Sequence, residues 1–347
     1  MSAKSLFTRM KSAGSGGIAL AFLLGACSIH PLPVDVTGVR TFDIVQQIRC
    51  ETREAVIDSA LAYLTKSPDV DAKSKEIGAR IAEEYARDPN TIIKLNPKLF
   101  KGQVHDTLNV FWTTGVAYNF NLDMTEVNNA DEVLRFGKIF PTGSFALNLN
   151  GQFDRSRQNT RTFTVTDHFG SLVNKPMDCM GKIVGPNYVY PIAGRIGVED
   201  LVHTFVYLTL FANLGGESTA AGTIPKGPPT LVDALLFTTT ISGEVNPLVT
   251  FAPLSRTLSV TQAGVDLKAG RTDKHQVVVG LAIDTAAQPQ LGLLREEFLA
   301  QPAAPKKGEL FLGLLTASGN RAELAAATAV NQYLTQKLFS PTINVTP

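Results

Sequence analysis

"GVAYNFNLDMTEV" at residues 115–127 and "SFALNLNGQFD" at residues 144–154 alternate apolar and polar side chains along most of their length. In the first, Tyr118, Phe120, Leu122 and Met124 fall on one side, and Ala117, Asn119, Asn121 and Asp123 on the other. In the second, Phe145, Leu147, Leu149 and Phe153 oppose Ala146, Asn148, Asn150 and Gln152. Successive Cβ atoms of a strand point to opposite faces, so a period of two predicts half-buried antiparallel strands. "RTFTVTDHF" (161–169) continues the pattern with Phe163, Val165 and Phe169, and the polar "DRSRQNT" (154–160) before it is expected to be a turn.

Helical spacing flanks these strands. Residues 41–66 predict a helix with Thr41 as N-cap and Asp43 in the first turn. On it Gln47, Glu51, Glu54 and Asp58 form a polar stripe, and Cys50, Ile57, Leu61 and Leu64 face inward. Residues 70–87 predict a second helix, ended by Pro89, with Ile77, Ile81 and Tyr85 inward. The apolar run 196–214 has helical length but many β-branched and aromatic residues. Strand signals return at 230–242, 245–252, 258–270 and 274–284. A last helix is expected from about Asn320, with Glu323 in a capping-box position and Leu324, Ala327, Asn331, Leu334 and Leu338 inward. Helices at both ends with strands between them predict an α+β fold, a mainly antiparallel sheet packed against N- and C-terminal helices. Residues 41–347 read as a single domain, with 215–229 as the place where it could subdivide.

The chain has 347 residues, 44% hydrophobic and 18% charged, with a formal charge of +1. No basic stripe marks a nucleic-acid binder. Three of the cations, Lys4, Arg9 and Lys11, lie in the first 26 residues, which hold no acid, so a chain beginning at Cys27 carries −2. They precede the apolar "IALAFLL" (18–24), too short for a membrane-spanning helix, which needs about 20 residues. This is the layout of a secretory signal peptide.

Leu24-Gly25-Ala26-Cys27 then resembles the lipobox of bacterial lipoprotein precursors. The resemblance covers only the N-terminal segment. It implies a signal peptide over 1–26 and lipidation of Cys27, with the membrane as a partner through that lipid. Ser28 in the following position implies the outer membrane, facing the periplasm. One acyl chain binds a membrane marginally, whereas two or three anchor it firmly. Residues 27–40, with Pro31 and Pro33, then read as the anchor and a stiff tether. The body resembles no characterised family.

No phosphate loop, H-E-x-x-H, C-x-x-C or G-x-S-x-G is present, so no catalytic residue, cofactor or metal site is assigned. The histidines (His30, His105, His168, His203, His275) lack metal-ligand spacing; His168 lies beside Asp167 and His275 near Asp273. Besides Cys27 there are Cys50 and Cys179, which in an oxidising compartment either pair or stay as two buried thiols. Three readings follow. The first is a lipid-anchored envelope scaffold without a catalytic centre, binding other envelope proteins. The second is a subunit of an oligomeric outer-membrane pore, whose alternating strands give one face to lipid and one to a lumen. The third is an envelope hydrolase using scattered His and Asp residues. The first assigns both apolar strand faces to the core.

Overall fold

The alternating stretches belong to strands much longer than the pattern itself. β1 spans Gly115–Phe140 and β2 spans Gly143–His168, 26 residues each. At about 3.3 Å per residue each strand runs roughly 85 Å, where 3–10 residues is usual. "DRSRQNT" is strand, not turn: Gln158 Nε2 donates to the Asp123 carboxylate across the pair at 2.9 Å. β1 ends at Phe140 and β2 begins at Gly143, with Thr142 in a turn between them. Asn119 Nδ2 donates to Thr164 Oγ1 at 2.9 Å, and the Phe120 and Phe163 rings stack 4.9 Å apart, which fixes the antiparallel register.

The later strands are β3 (Thr230–Val245), β4 (Leu248–Thr250) and β5 (Ser259–Ala282). The stretches expected as two strands at 258–270 and 274–284 are one, with "RTDK" (271–274) extended between them. The sheet order is β2-β1-β5-β3, with β4 paired antiparallel to β5 at Leu248↔Gly264, Val249↔Ala263 and Thr250↔Gln262. The fold is α+β.

The computed structural model describes residues 30–140, 142–179, 185–211, 214, 229–250, 259–287, 291, 294 and 319–339. Residues 1–26, Cys27 and the loop 215–228 lie outside them. The chain divides into two compact units: a strand unit of 1–38, 123–159 and 240–272, and a helical unit of 39–122, 160–239 and 273–347. β1, β2, β3 and β5 each pass from one into the other.

In the helical unit, α2 (Thr41–Lys66) buries Ile44, Ile48, Cys50, Ile57 and Leu64. Arg40, not Thr41, is its extended N-cap residue, and the Arg40 guanidinium pairs with Asp43 at 2.9 Å. Asp71 caps α3 (Ala72–Arg87) by accepting from the Lys73 and Ser74 amides. α4 (Gly102–Trp112), α5 (Phe169–Asn174) and α6 (Val198–Phe211) complete this side, so the ambiguous apolar run is a helix. The last helix, α7 (Gly319–Phe339), packs Ala326 and Val330 against Ala117, Val278 and Ala282 of β1 and β5. Its inner row is Ala322, Ala326 and Val330, while Leu324, expected inward, is exposed. The reason is close approach: a Cβ on Gly115 or Gly280 would overlap the α7 backbone or Val330, so only small residues fit there. Glu323 does not close a capping box; its carboxylate meets His168 Nδ1 at 2.6 Å and Thr166 Oγ1 at 3.3 Å.

In the strand unit, α1 (Val34–Thr37) follows Pro31 and Pro33, both buried. The segment read from sequence as a tether is therefore seated on structure rather than free.

Candidate functional site

The two alternating stretches end in different surroundings. Tyr118, Phe120, Leu122 and Met124, in and next to the helical unit, are each 0% exposed. Asn119 is also buried, at 6%, which corrects the expectation of a solvated side. Phe145, Leu147, Leu149 and Phe153, in the strand unit, are 48%, 41%, 49% and 55% exposed. They form no core face, and Asn148 and Asn150 opposite them are exposed too.

Residues facing one another on antiparallel strands share a side of the sheet. A Cβ on Gly151 would touch Glu132, so the odd positions of β2 and even positions of β1 share one face in the strand unit. Leu134, Phe136 and Phe140 of β1 thereby join Phe145, Leu147, Leu149 and Phe153, with the charged Glu132 and Lys138 on the same face. On the other hairpin, Glu244 lies opposite Lys268 (3.9 Å), and Val249 pairs with Ala263. That register puts Ile241, Val245 and Val249 beside Val265 and Leu267. Asn159 of β2 and Arg271 of β5 both bind the 31–35 segment, but nearer the turns a Cβ on Gly137 of β1 would overlap Thr261 of β5, so no single apolar side runs across both hairpins.

The opposite side of the β1–β2 hairpin is mostly polar and carries Asn148, Asn150 and Gln152 of β2, with Asp131 and Arg135 of β1. On β3 to β5, the side away from Ile241 and Val245 carries Ser242, Glu244, Asp266 and Lys268, with Leu248 among them. Lys268 Nζ lies 2.9 Å from Asp266, and this hydrogen bond holds the ammonium above the ordinary lysine range. Among the described residues of the strand unit, three carboxylates (Asp123, Asp131, Asp154) and Arg135 lie on that side of the β1–β2 hairpin, and Glu244, Asp266 and Lys268 lie on β3 and β5. The apolar face occupies the nine positions 145–153 on β2. Monomeric soluble proteins rarely expose contiguous apolar patches larger than a few hundred Å².

The chemical candidates go elsewhere. Asp167 and His168 do not act together: Asp167 takes a bidentate bond from Arg49 at 2.7 Å, and His168 turns to Glu323. His275 is buried against the Tyr190 hydroxyl, which also donates to Asp273 at 2.8 Å. A phenol, an imidazole and a carboxylate closed from water tie β5 to the 187–196 loop. Cys50 and Cys179 are bonded, with Cα atoms 5.6 Å apart. Among the described residues no three His, Cys, Asp or Glu side chains form a group able to hold a metal, and no helix is long and apolar enough to cross a membrane.

One buried group escaped the sequence reading. Glu51, expected on a polar stripe, is 1% exposed and accepts from the Ile196, Gly197 and Val198 amides at 2.7–2.9 Å. It is the built-in anion at the N-terminus of α6, where free N–H groups and the helix dipole favour negative charge. Tyr118, on the same side of β1 as α2, has its phenol pushed far up, first by burial and then by Asp167. Both groups are architectural.

Among solved structures, the chain is similar to the secretin InvG of the Salmonella SPI-1 type III secretion injectisome in its open gate state. The likeness has 8% identity and a TM-score of 0.21, over 67% of this chain and 68% of that one. The β-barrel domain of InvG gives 9% identity and a TM-score of 0.17, over 67% and 71%. Likenesses this low carry no argument. In sequence, the chain is 30% identical over 279 residues to the uncharacterized protein y4kA of Sinorhizobium fredii (strain NBRC 101917 / NGR234), covering 78% of this chain and 83% of that protein. The family model described as "Uncharacterised protein y4kA" matches residues 30–292, three quarters of the length, and the chain belongs to the y4kA family.

Proposed function

We propose that this protein is a lipid-anchored subunit of an oligomeric outer-membrane pore. The observation that carries the reading is the alternation of β2 over 145–153, where Phe145, Leu147, Leu149 and Phe153 are exposed and Asn148, Asn150 and Gln152 oppose them. A barrel strand crosses a bilayer in about 9–11 tilted residues, alternating apolar outward and polar inward. Positions 145–153 of β2 match that length, and Ile241, Val245 and Val249 repeat the alternation on the other hairpin.

One copy cannot close a barrel, because β2 and β3 are the outer strands of the sheet. In a membrane every backbone N–H and C=O must be paired, so an open edge is not tolerated. β2 of one copy pairing with β3 of the next satisfies both edges and generates a ring. The carboxylates Asp123, Asp131 and Asp154 beside Asn148, Asn150 and Gln152, against one cation, Arg135, give such a pore a preference for cations. Lipidation at Cys27 holds each copy at the membrane before assembly. A scaffold role requires a second protein to cover the apolar residues, whereas a bilayer covers Phe145, Leu147, Leu149 and Phe153 and further copies of this chain close the sheet edges.

The full lipidated chain, extracted in detergent, is expected to appear as rings by electron microscopy and to give stepwise conductance in planar bilayers. Leu147→Arg is expected to remove the conductance. Protein that stays monomeric in detergent and lipid, with no conductance, overturns the reading.

A further inference from the structure

The segment just after the anchoring position is fixed to the sheet. Asn159 Nδ2 donates to the Pro31 carbonyl at 3.0 Å, and Arg271 Nη2 donates to the Leu32 carbonyl at 2.6 Å. Arg271 Nη1 also lies 3.8 Å from Asp35, whose carboxylate accepts from the Leu32 amide at 2.7 Å. Asn159 is an odd position of β2, so this clamp sits on the face that bears Phe145, Leu147, Leu149 and Phe153. Between Phe153 and Asn159 that face carries Arg155 and Arg157, with the Arg155 guanidinium 4.7 Å over the Phe153 ring. Cations bordering an apolar band suit phosphate headgroups, and long side chains lay their stems on the band while the charge stays in the polar layer.

We infer that the clamp sets the protein's direction across the membrane: the leaflet holding the Cys27 lipid is the one at the Asn159–Arg271 end of the apolar band, and the turn at Thr142 emerges on the far side. The inference rests on the pore reading. The lengths agree. Four residues separate Pro31 from Cys27, a reach of at most about 14 Å. Six residues separate Asn159 from Phe153, about 20 Å along the strand and roughly 14 Å of depth at a 45° tilt. The anchor therefore reaches the near border of the band and falls far short of the turn.

The test uses the full chain in intact cells, with Thr142→Cys on the first turn and Asn246→Cys between β3 and β4 as an independent second probe. Asn90→Cys, exposed in the helical unit, is the control. A membrane-impermeant maleimide is expected to label Thr142→Cys and Asn246→Cys on intact cells, and Asn90→Cys only after the outer membrane is opened. Labelling of both turn probes only after opening, from protein that still forms conducting rings, overturns the direction and leaves the pore standing. Absence of rings and conductance overturns the pore and the inference together. Asn159→Ala with Arg271→Ala is expected to keep acyl labelling and to cut ring yield about tenfold, from the lost hydrogen bonds. An unchanged ring yield overturns the role of the clamp.

Discussion

Tyr118-Asn119-Phe120-Asn121-Leu122 and Phe145-Ala146-Leu147-Asn148-Leu149 are near copies in pattern, and in the folded chain they have opposite environments. The first is closed on both sides: α7 packs on the Ala117 side, and the Tyr118 side is buried toward α2. The second is open on both sides. Alternation fixes which residues share a face. What covers that face depends on residues distant in sequence, here Gly115 and Gly280 admitting α7. The difference between the stretches is therefore a difference of partners, and each can be perturbed without the other.

The largest expected effect falls in the helical unit. Cys50 and Cys179 close a loop across 129 residues, and on chain-entropy grounds the bond is worth roughly 5 kcal/mol at most. Peptide mapping without reduction is expected to recover the linked pair, and Cys50→Ser to lower the melting temperature sharply. Survival of the melting transition unchanged after reduction would contradict it.

Next comes the buried strand. Phe120→Ala empties a fully enclosed site and is expected to cost about 3–5 kcal/mol, read by thermal or urea unfolding. Leu147→Arg, the matching change in the open strand, is expected to leave that unfolding curve unmoved. It should cost insertion about 2–4 kcal/mol per copy, the penalty for a cation at mid-bilayer on a barrel's outer face. If Leu147→Arg lowers the melting temperature as much as Phe120→Ala does, the two stretches share one kind of environment and the comparison collapses.

Smaller still is the α3 cap. Asp71→Ala is expected to cost about 1 kcal/mol. Hydrogen bonds from Ser74 hold the Asp71 carboxyl below its ordinary range. A depressed acid stabilises the fold fully above its unfolded pKa, and that contribution is lost as pH falls through the folded one. The gap between wild type and Asp71→Ala should thus be constant at neutral pH and close in acid.

Much of the α+β outline was legible because periodicity is local. Strand at 115–127 and 144–154 and helix at 41–66 follow from spacing alone. The amphipathic face of β5 was present in Val265-Asp266-Leu267-Lys268-Ala269, and its meaning depends on knowing that β5 lies beside β1. "DRSRQNT" and "RTDK" read as interruptions because polar residues crowd there. Both lie where the chain passes from one unit to the other, at 159/160 and 272/273, inside continuous strands. Glu51 was unreadable as a buried group because its three amide donors lie about 145 positions downstream. Cys27 lies outside the described residues, and its lipidation is a proposal carried by the Leu24-Gly25-Ala26-Cys27 stretch.

The strand order β2-β1-β5-β3 also has a geometric consequence for size. β2 and β3 run in opposite directions, so every junction in a head-to-tail ring is antiparallel whatever the number of copies. With strands about 4.8 Å apart and tilted near 40°, four strands add about 25 Å to the circumference and so about 8 Å to the diameter. In the proposed pore the bore is then set by one integer, the copy number, and weighing the intact ring would measure its width.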